Sequence, residues 1–497
     1  VGKNIVIVGG GIGGLAAGCY FQMNGYSTHV LEMGQTCGGL CTSWKRKGYV
    51  FDGATNWLAG SAPSINLHHL LAEIIDFSKL DISYDDVFIR VEHGGDHLNV
   101  YKNADRLRDE MLRIAPEDRS AIITFTDAIR TVRRFRIPYQ KPREVFGVLD
   151  YLRFPVENLP LLLFLAKWRR ISIGEFARRF TNEKLRTMFL LIFPNHEFFA
   201  MFSVIMTLGW MNAGSDGYPR GGSARFTEVV EDRYKKLGGI VSLGKRVTSV
   251  AVEGGRAKGV VCSDGSRFDA DVVVSAVDGY ETVFGLLGGR HLDRGIIRRF
   301  GSWRTFPAIV QVSLGVARTF DETIHKFNIE LLNPICMGEY VAKDMMVRVC
   351  NFDPSLAPPN KTAVIVQIRT HDYQYWVDMR ARSPQKYARA KEDIAQAVVE
   401  SLEKRFGGID GNIEACDVAT PATFIRYTNI WKGSYQGWAP TPQAVGRMLK
   451  KTLPNLGDFY LAGQWLWPAG GLTGVIRLAR DVAYIICCKD GRQFTIV

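Results

Sequence analysis

The chain has 497 residues, of which 46% are hydrophobic, 11% aromatic and 23% charged. At ~150 residues per domain this is about three domain-sized units. It is length enough for a large core without disulfide or metal staples, and the composition excludes a disordered chain. Lys and Arg outnumber Asp and Glu by 62 to 50, a net charge of +12, which favours an anionic partner: nucleic acid, an anionic membrane surface or an acidic substrate.

In chain order, the first ten residues read as a strand and a glycine turn, without the charged, apolar and small-residue order of a signal peptide. Residues 4–8 (Asn-Ile-Val-Ile-Val) predict a short strand of the kind buried in a parallel sheet. Gly9, Gly11 and Gly14 follow as GxGxxG, and Leu15 to Met23 predicts a helix that Asn24-Gly25 ends. A second strand, Thr28 to Leu31, ends on Glu32, 18 residues after Gly14. Gly9 permits the tight turn, Gly11 lets a pyrophosphate approach the backbone, and Gly14 lets helix and strand pack closely. The helix N-terminus offers free N–H groups to phosphate. Glu32 stands where a ribose-binding acid is expected, and an acid there suits a free 2′-hydroxyl. The unit predicts dinucleotide binding.

The chain continues through Gly38-Gly39-Leu40 and Phe51-Asp52-Gly53. A Gly-Gly turn soon after the ribose acid, then a Phe-Asp-Gly strand end, resembles the large FAD-dependent oxidoreductases. That group takes in amine oxidases, phytoene desaturases, carotenoid isomerases and retinol saturases. The family often has Arg where Leu40 stands. A helix over Arg225 to Leu237 and strands at 240–243, 247–252 and 271–277 look like the family's return to its nucleotide domain, where the residue matching Val247 meets the adenine through its backbone. Phe459 to Gly463, then Gln464 and Trp467-Pro468-Ala469-Gly470-Gly471-Leu472-Thr473-Gly474, resembles the closing flavin motif. The resemblance implies cofactor contacts at Gly38, Gly39, Val247, Gly463, Gln464, Gly471, Leu472 and Thr473. It also sets the last helix N-terminus at the flavin's pyrimidine edge, where the helix dipole stabilises negative charge.

Three segments, 1–85, 213–300 and 452–497, are therefore expected to build one Rossmann-like α/β FAD-binding domain. The intervening 86–212 and 301–451 would form an α+β substrate domain with a mixed sheet and helices. Strands are expected at 308–316 and 363–370, and a helix at 383–406. No second GxGxxG follows a strand, so no separate nicotinamide domain is indicated, and Gly285–Gly289 is expected to be a turn. Phe198–Ser215 is 18 residues long and ends on a turn, short of the ~20 a spanning helix needs.

Residues 130–170 hold ten Lys/Arg and three Asp/Glu, a local net of +7, interleaved with seven aromatics and a Leu-rich run. This fits an interfacial patch on an anionic membrane as well as a solvated basic face. No nucleic-acid-binding signature accompanies the charge. Phe189 to Met211 fits an apolar channel wall or a plain core helix pair.

Nine cysteines with no CxxC suggest reduced thiols in a cytosolic protein, peripheral on the inner membrane face if the patch docks. Cys37 and Cys41 flank the Gly-Gly turn but lack redox-pair spacing. His93 and His97 straddle a hairpin turn, and no metal is expected. His196 and Glu197 are the adjacent acid/base pair in the apolar stretch, weak catalytic candidates beside the reading of a satisfied buried pair. Trp57, Tyr435 and Trp438 are candidate substrate contacts. The closest resemblance is to the phytoene desaturase, carotenoid isomerase and retinol saturase group. It implies an FAD enzyme moving hydride at flavin N5 on a lipophilic isoprenoid or polyene. One rival is an amine oxidase-like flavoenzyme with a cage of Trp431, Tyr435 and Trp438. Another is a prenyl-binding escort protein of the same architecture.

Overall fold

The computed structural model describes residues 2–496. The strand Asn4–Val8 is apolar at four of its five positions and is buried along that run. It lies at the centre of a five-stranded sheet, ordered Ile240–Ser242, Ser27–Leu31, Asn4–Val8, Val272–Ser275 and Phe459–Leu461. All neighbours are parallel. Buried parallel strands need apolar side chains on both faces, which is why these runs do not alternate. The first helix (Ile12–Met23) packs on this sheet between Gly222–Lys236 and the last helix, Gly471–Lys489. Segments far apart in sequence thus converge on one edge, where strands end and helices begin. In open α/β sheets that edge is where ligands bind.

A second sheet has seven strands, ordered Ile413–Ala419, Ala308–Val316, Thr362–Thr370, Tyr340–Val349, Lys326–Met337, Val87–His93 and Asp96–Tyr101. Its neighbours are antiparallel except Val87–His93 against Lys326–Met337, so it is mixed. The expected strands at 308–316 and 363–370 and the helix at 383–406 (Pro384–Phe406) are present. Side chains alternate across a strand. Val364, Val366 and Ile368 therefore point to a core with Val398 and Leu402 of that helix, while Gln367 and Arg369 point the other way, into a cavity.

A helical body packs beside the second sheet. Arg119–Val132 and Met201–Asn212 enclose an aromatic core of Phe125, Phe176, Phe180 and Phe189. Met201–Asn212 is 12 residues long, and no helix among the described residues is long and apolar enough to cross a membrane. Gly285–Gly289 closes a six-residue π-helix, Glu281–Leu286, with a turn.

Ionic groups are buried between the two sheets. Lys326 is buried and its Nζ donates to the Asn56 carbonyl, with Asp85, Asp216, Lys102 and Arg348 around it. Burial, with Lys102 adding to it, pushes the ammonium down to about 8. Between pH 8 and the ordinary lysine value the unfolded chain keeps a proton that the folded chain has released. Stability therefore rises with pH across that window. Denaturant unfolding at pH 7.5 and 9.5 should show this as a gain of roughly 1–2 kcal/mol from this group at the higher pH. Lys326→Met should flatten that slope, and an unchanged slope would contradict the assignment.

Candidate functional site

The glycine turn builds the first half of the site. Gly9 has φ +99° and donates its N–H to Leu31 O at 2.8 Å, locking the turn against the second strand. The glycines at 11 and 14 are there for different reasons. A Cβ on Gly14 would sit 1.9 Å from Gly9 O, so this residue serves helix–strand packing and does not line the cavity. A Cβ on Gly11 would meet only the backbone of Gly38 and Gly39, at 3.8 and 3.9 Å, and the residue has an ordinary extended φ of −69°. Gly11 is small for the sake of the space before it.

Gly38 N donates to Gly10 O at 2.9 Å, which holds the Gly38-Gly39 turn beside the first one. Glu32 is buried, and its two carboxylate oxygens accept from Gly10 N and Gly34 N, each at 2.7 Å. Each oxygen retains a second acceptor site. Val247, Gly463, Gln464, Gly471, Leu472 and Thr473 share the cavity with these residues.

The cavity is continuous and of about 640 Å³. Two helix N-termini open onto it, at Gly11 and at Gly470, and neither has a side-chain cap. A helix leaves its first N–H groups without internal partners, so the site presents two sets of backbone donors and two positive dipole ends. An acidic acceptor, Glu32, lies beside the Gly11 end. This donor set suits an anionic dinucleotide, whose phosphates a helix N-terminus can hold.

Away from the glycines the walls turn apolar. Helix Met201–Asn212 contributes Phe202, Met206 and Trp210, and the second sheet contributes Ile309 and Met346. Trp57 also lines this arm, edge-on to Phe88 at 5.3 Å. The stretch expected as a channel wall or core helix does both. Its Leu208 and Met211 are core, and its Phe202 and Met206 face the cavity.

The acid/base pair does not form. His196 is buried on the cavity wall, whereas Glu197 is exposed and does not line the cavity. Adjacent residues after the Pro194-Asn195 turn point to opposite sides, and Asn195 has φ +61°. His196 Nδ1 lies 2.7 Å from Pro194 O. A carbonyl can only accept, so Nδ1 carries the proton and Nε2 accepts from the Tyr435 hydroxyl at 3.1 Å. Burial, reinforced by Arg369, drives the imidazole pKa well down and keeps the ring neutral.

The aromatic cage is also absent. Tyr435 lines the cavity, but Trp438 and Trp431 do not. Trp438 packs edge-on to Trp465 at 4.9 Å, and Trp431 stacks on Tyr280 at 4.9 Å. Trp438 is a core residue and the expected substrate contact is corrected. Cys37 and Cys41 are buried thiols pushed up to about 12 and about 11 by burial, which keeps them protonated. Among the cavity residues that the sequence did not single out are Gln367, Arg369 and Phe306. The first two had a signal, since polar residues at i and i+2 on one face of an apolar strand must face something other than a core.

A family model described as flavin containing amine oxidoreductase matches residues 12–487. Among curated relatives, a lycopene-forming phytoene desaturase of Paracoccus sp. is 24% identical, over 97% of each chain. The chloroplastic prolycopene isomerase of Arabidopsis thaliana is also 24% identical, over 95% of this chain and 80% of its own length. In fold the chain is similar to cyclohexylamine oxidase from Brevibacterium oxydans (TM-score 0.62, 15% identical, covering 99% of this chain and 100% of that one). It is likewise similar to an oxidoreductase from Methanosarcina mazei (TM-score 0.61, 16% identical, covering 97% and 99%). With a match over almost its whole length and a cavity suited to the cofactor, the chain belongs to the flavin-containing amine oxidoreductase family.

Proposed function

We propose that the protein is an FAD-dependent oxidoreductase acting on a long apolar polyene of carotenoid or retinoid type. The observation that carries this is the continuity of one cavity, from two uncapped helix N-termini into an arm walled by phenylalanines. The names of the curated relatives, desaturases and isomerases of carotenoids, support the substrate class. FAD supplies hydride acceptance or donation, chemistry that belongs to the cofactor.

The chain's part is to bind and orient. Glu32 takes the ribose hydroxyls, the backbone of Gly11 takes the pyrophosphate, and Gly38, Gly39, Val247, Gly463 and Gln464 complete the cradle. Gly471, Leu472 and Thr473 meet the ring edge. Trp57 and the apolar arm align the polyene and exclude water. An amine oxidase would need the cage that Trp431 and Trp438 do not form. A lipid escort would need no open space at Gly11.

The test is anaerobic photoreduction of the purified protein, followed by reoxidation with oxygen, quinones and polyenes in separate runs. Reoxidation by a polyene, or turnover of a polyene with quinone or oxygen, is expected. A colourless protein, or one that turns over amines alone, would sink the reading.

We further propose that the mouth of the apolar arm docks on an anionic bilayer. Helices Val148–Glu157 and Leu159–Trp168 line the cavity with Phe154, Leu161, Leu162 and Leu165. Their other side exposes Val148, Leu149, Leu152, Val156, Leu159 and Leu163, each more than half exposed. Arg133, Arg134 and Arg136 are exposed close by in sequence. Apolar residues beside basic ones suit a lipid interface. Co-sedimentation with vesicles containing anionic lipid should fall by about tenfold or more when all three arginines become Glu, at ~1 kcal/mol per charge. Equal binding to neutral vesicles would contradict it.

A further inference from the structure

Arg369 is the unexplained group in the apolar arm. It lies on strand Thr362–Thr370, opposite Ile309 of the neighbouring strand, and lines the cavity with Gln367. Its Nε is buried and has no hydrogen-bond partner. A terminal nitrogen reaches the Met346 thioether at 3.8 Å, a weak acceptor. Asp344 feels the guanidinium electrostatically, but among the described residues no carboxylate pairs with it within 4 Å. The contrast is Arg348 on the adjacent strand, which donates to Asp52 and to Thr55 O.

Tyr435 is a neutral partner for the guanidinium, and a cation that faces an apolar cavity without a carboxylate is costly unless a ligand completes it. His196 is a fixed acceptor for the Tyr435 hydroxyl, so the phenol oxygen's lone pairs are left toward Arg369. Gln367 adds an amide in the same cavity. The neighbouring Gln436 also touches the start of the last helix: a Cβ on Gly471 would lie 3.2 Å from its Nε2. The Tyr435 side of the cationic spot therefore lies one residue from a side chain that borders the start of the last helix.

We propose that Arg369, with Gln367 beside it and Tyr435 holding the guanidinium in place, binds a terminal carboxylate, so that the substrate is an apolar chain ending in an acid and not a plain hydrocarbon. This rests on the polyene reading above and sharpens it. A planar guanidinium recognises a carboxylate through paired donors. Anchoring one end of the chain also sets which of its carbons lie beside the last helix. A hydrocarbon would leave the arginine bare.

The test is equilibrium titration of the flavin-loaded protein with all-trans-retinoic acid, its methyl ester, lycopene and palmitic acid, followed through the flavin spectrum. The acid should bind at least tenfold more tightly than the ester. Arg369→Met should abolish that preference while leaving ester affinity unchanged. Arg369→Lys should restore part of it. The ligand-free Arg369→Met protein should melt no lower than the parent, because the substitution removes a half-buried charge that no carboxylate pairs with. A purely structural arginine would instead lower the melting temperature and weaken all four ligands alike.

Equal affinity for acid and ester, or an acid preference that survives Arg369→Met, would overturn the carboxylate site and leave the polyene reading standing. Arg369-dependent binding of palmitic acid, with no binding of the three polyenes, would uphold the site and overturn the polyene reading.

Discussion

Gly11→Val should give a folded but colourless protein. The backbone at Gly11 has a φ open to any residue, and a Cβ there clashes with nothing. The added methyls would occupy the space in front of the first helix N-terminus, where the proposed pyrophosphate site lies. Hydrogen bonds to a charged group contribute about 1.5–3 kcal/mol each. Losing two weakens flavin binding by on the order of 100-fold. The ratio of flavin to protein absorbance after gel filtration checks the first half, and an unchanged thermal unfolding of flavin-stripped protein checks the second. Gly14→Val is the counterpart. Its Cβ would fall 1.9 Å from Gly9 O, so it should damage folding itself. A yellow Gly11→Val protein would mean that the phosphates lie elsewhere.

Asp52→Ala should be the most destabilising single change at the junction of the two sheets. Asp52 is fully buried and accepts from the Tyr218 hydroxyl at 2.9 Å, Ser223 N at 3.1 Å and Arg348 at 3.3 Å. Arg348 is itself buried, and the anion beside it, together with Tyr218, outweighs burial and drives its pKa above the usual value. Removing the carboxylate strands that charge, a loss of about 3–5 kcal/mol. Denaturant midpoints should show it. Asp52→Ala combined with Arg348→Met should be less destabilised than Asp52→Ala alone, since no charge is then left unpaired. A double variant as unstable as the sum of the two singles would show that the pair is not coupled.

The glycine turn, Glu32 and the closing Pro-Gly-Gly loop were legible in the sequence because each is a contiguous piece whose geometry is local. A strand, a turn and a helix fix where their own glycines lie. Side-chain direction in irregular segments is not local. Glu197 and His196 are neighbours, yet the turn at Asn195 sends them to opposite sides. Trp431 and Trp438 lie four and three residues from Tyr435, but packing against Tyr280 and Trp465 turns them into a core that no spacing rule announces. Arg369 required knowing which face of its strand met the helix Pro384–Phe406, and that is set by pairing between strands distant in sequence.

The alternation along Thr362–Thr370 has a consequence for how such a protein can change over generations. Val366 and Ile368 hold the sheet to its helix, while Gln367 and Arg369, one position away, turn to the cavity face and leave that core alone. Substitutions that alter what is recognised therefore carry little penalty in folding, and those that threaten folding leave recognition untouched. Selection can act on the two properties separately, within a single strand, so this scaffold can acquire a new substrate without first having to become more stable.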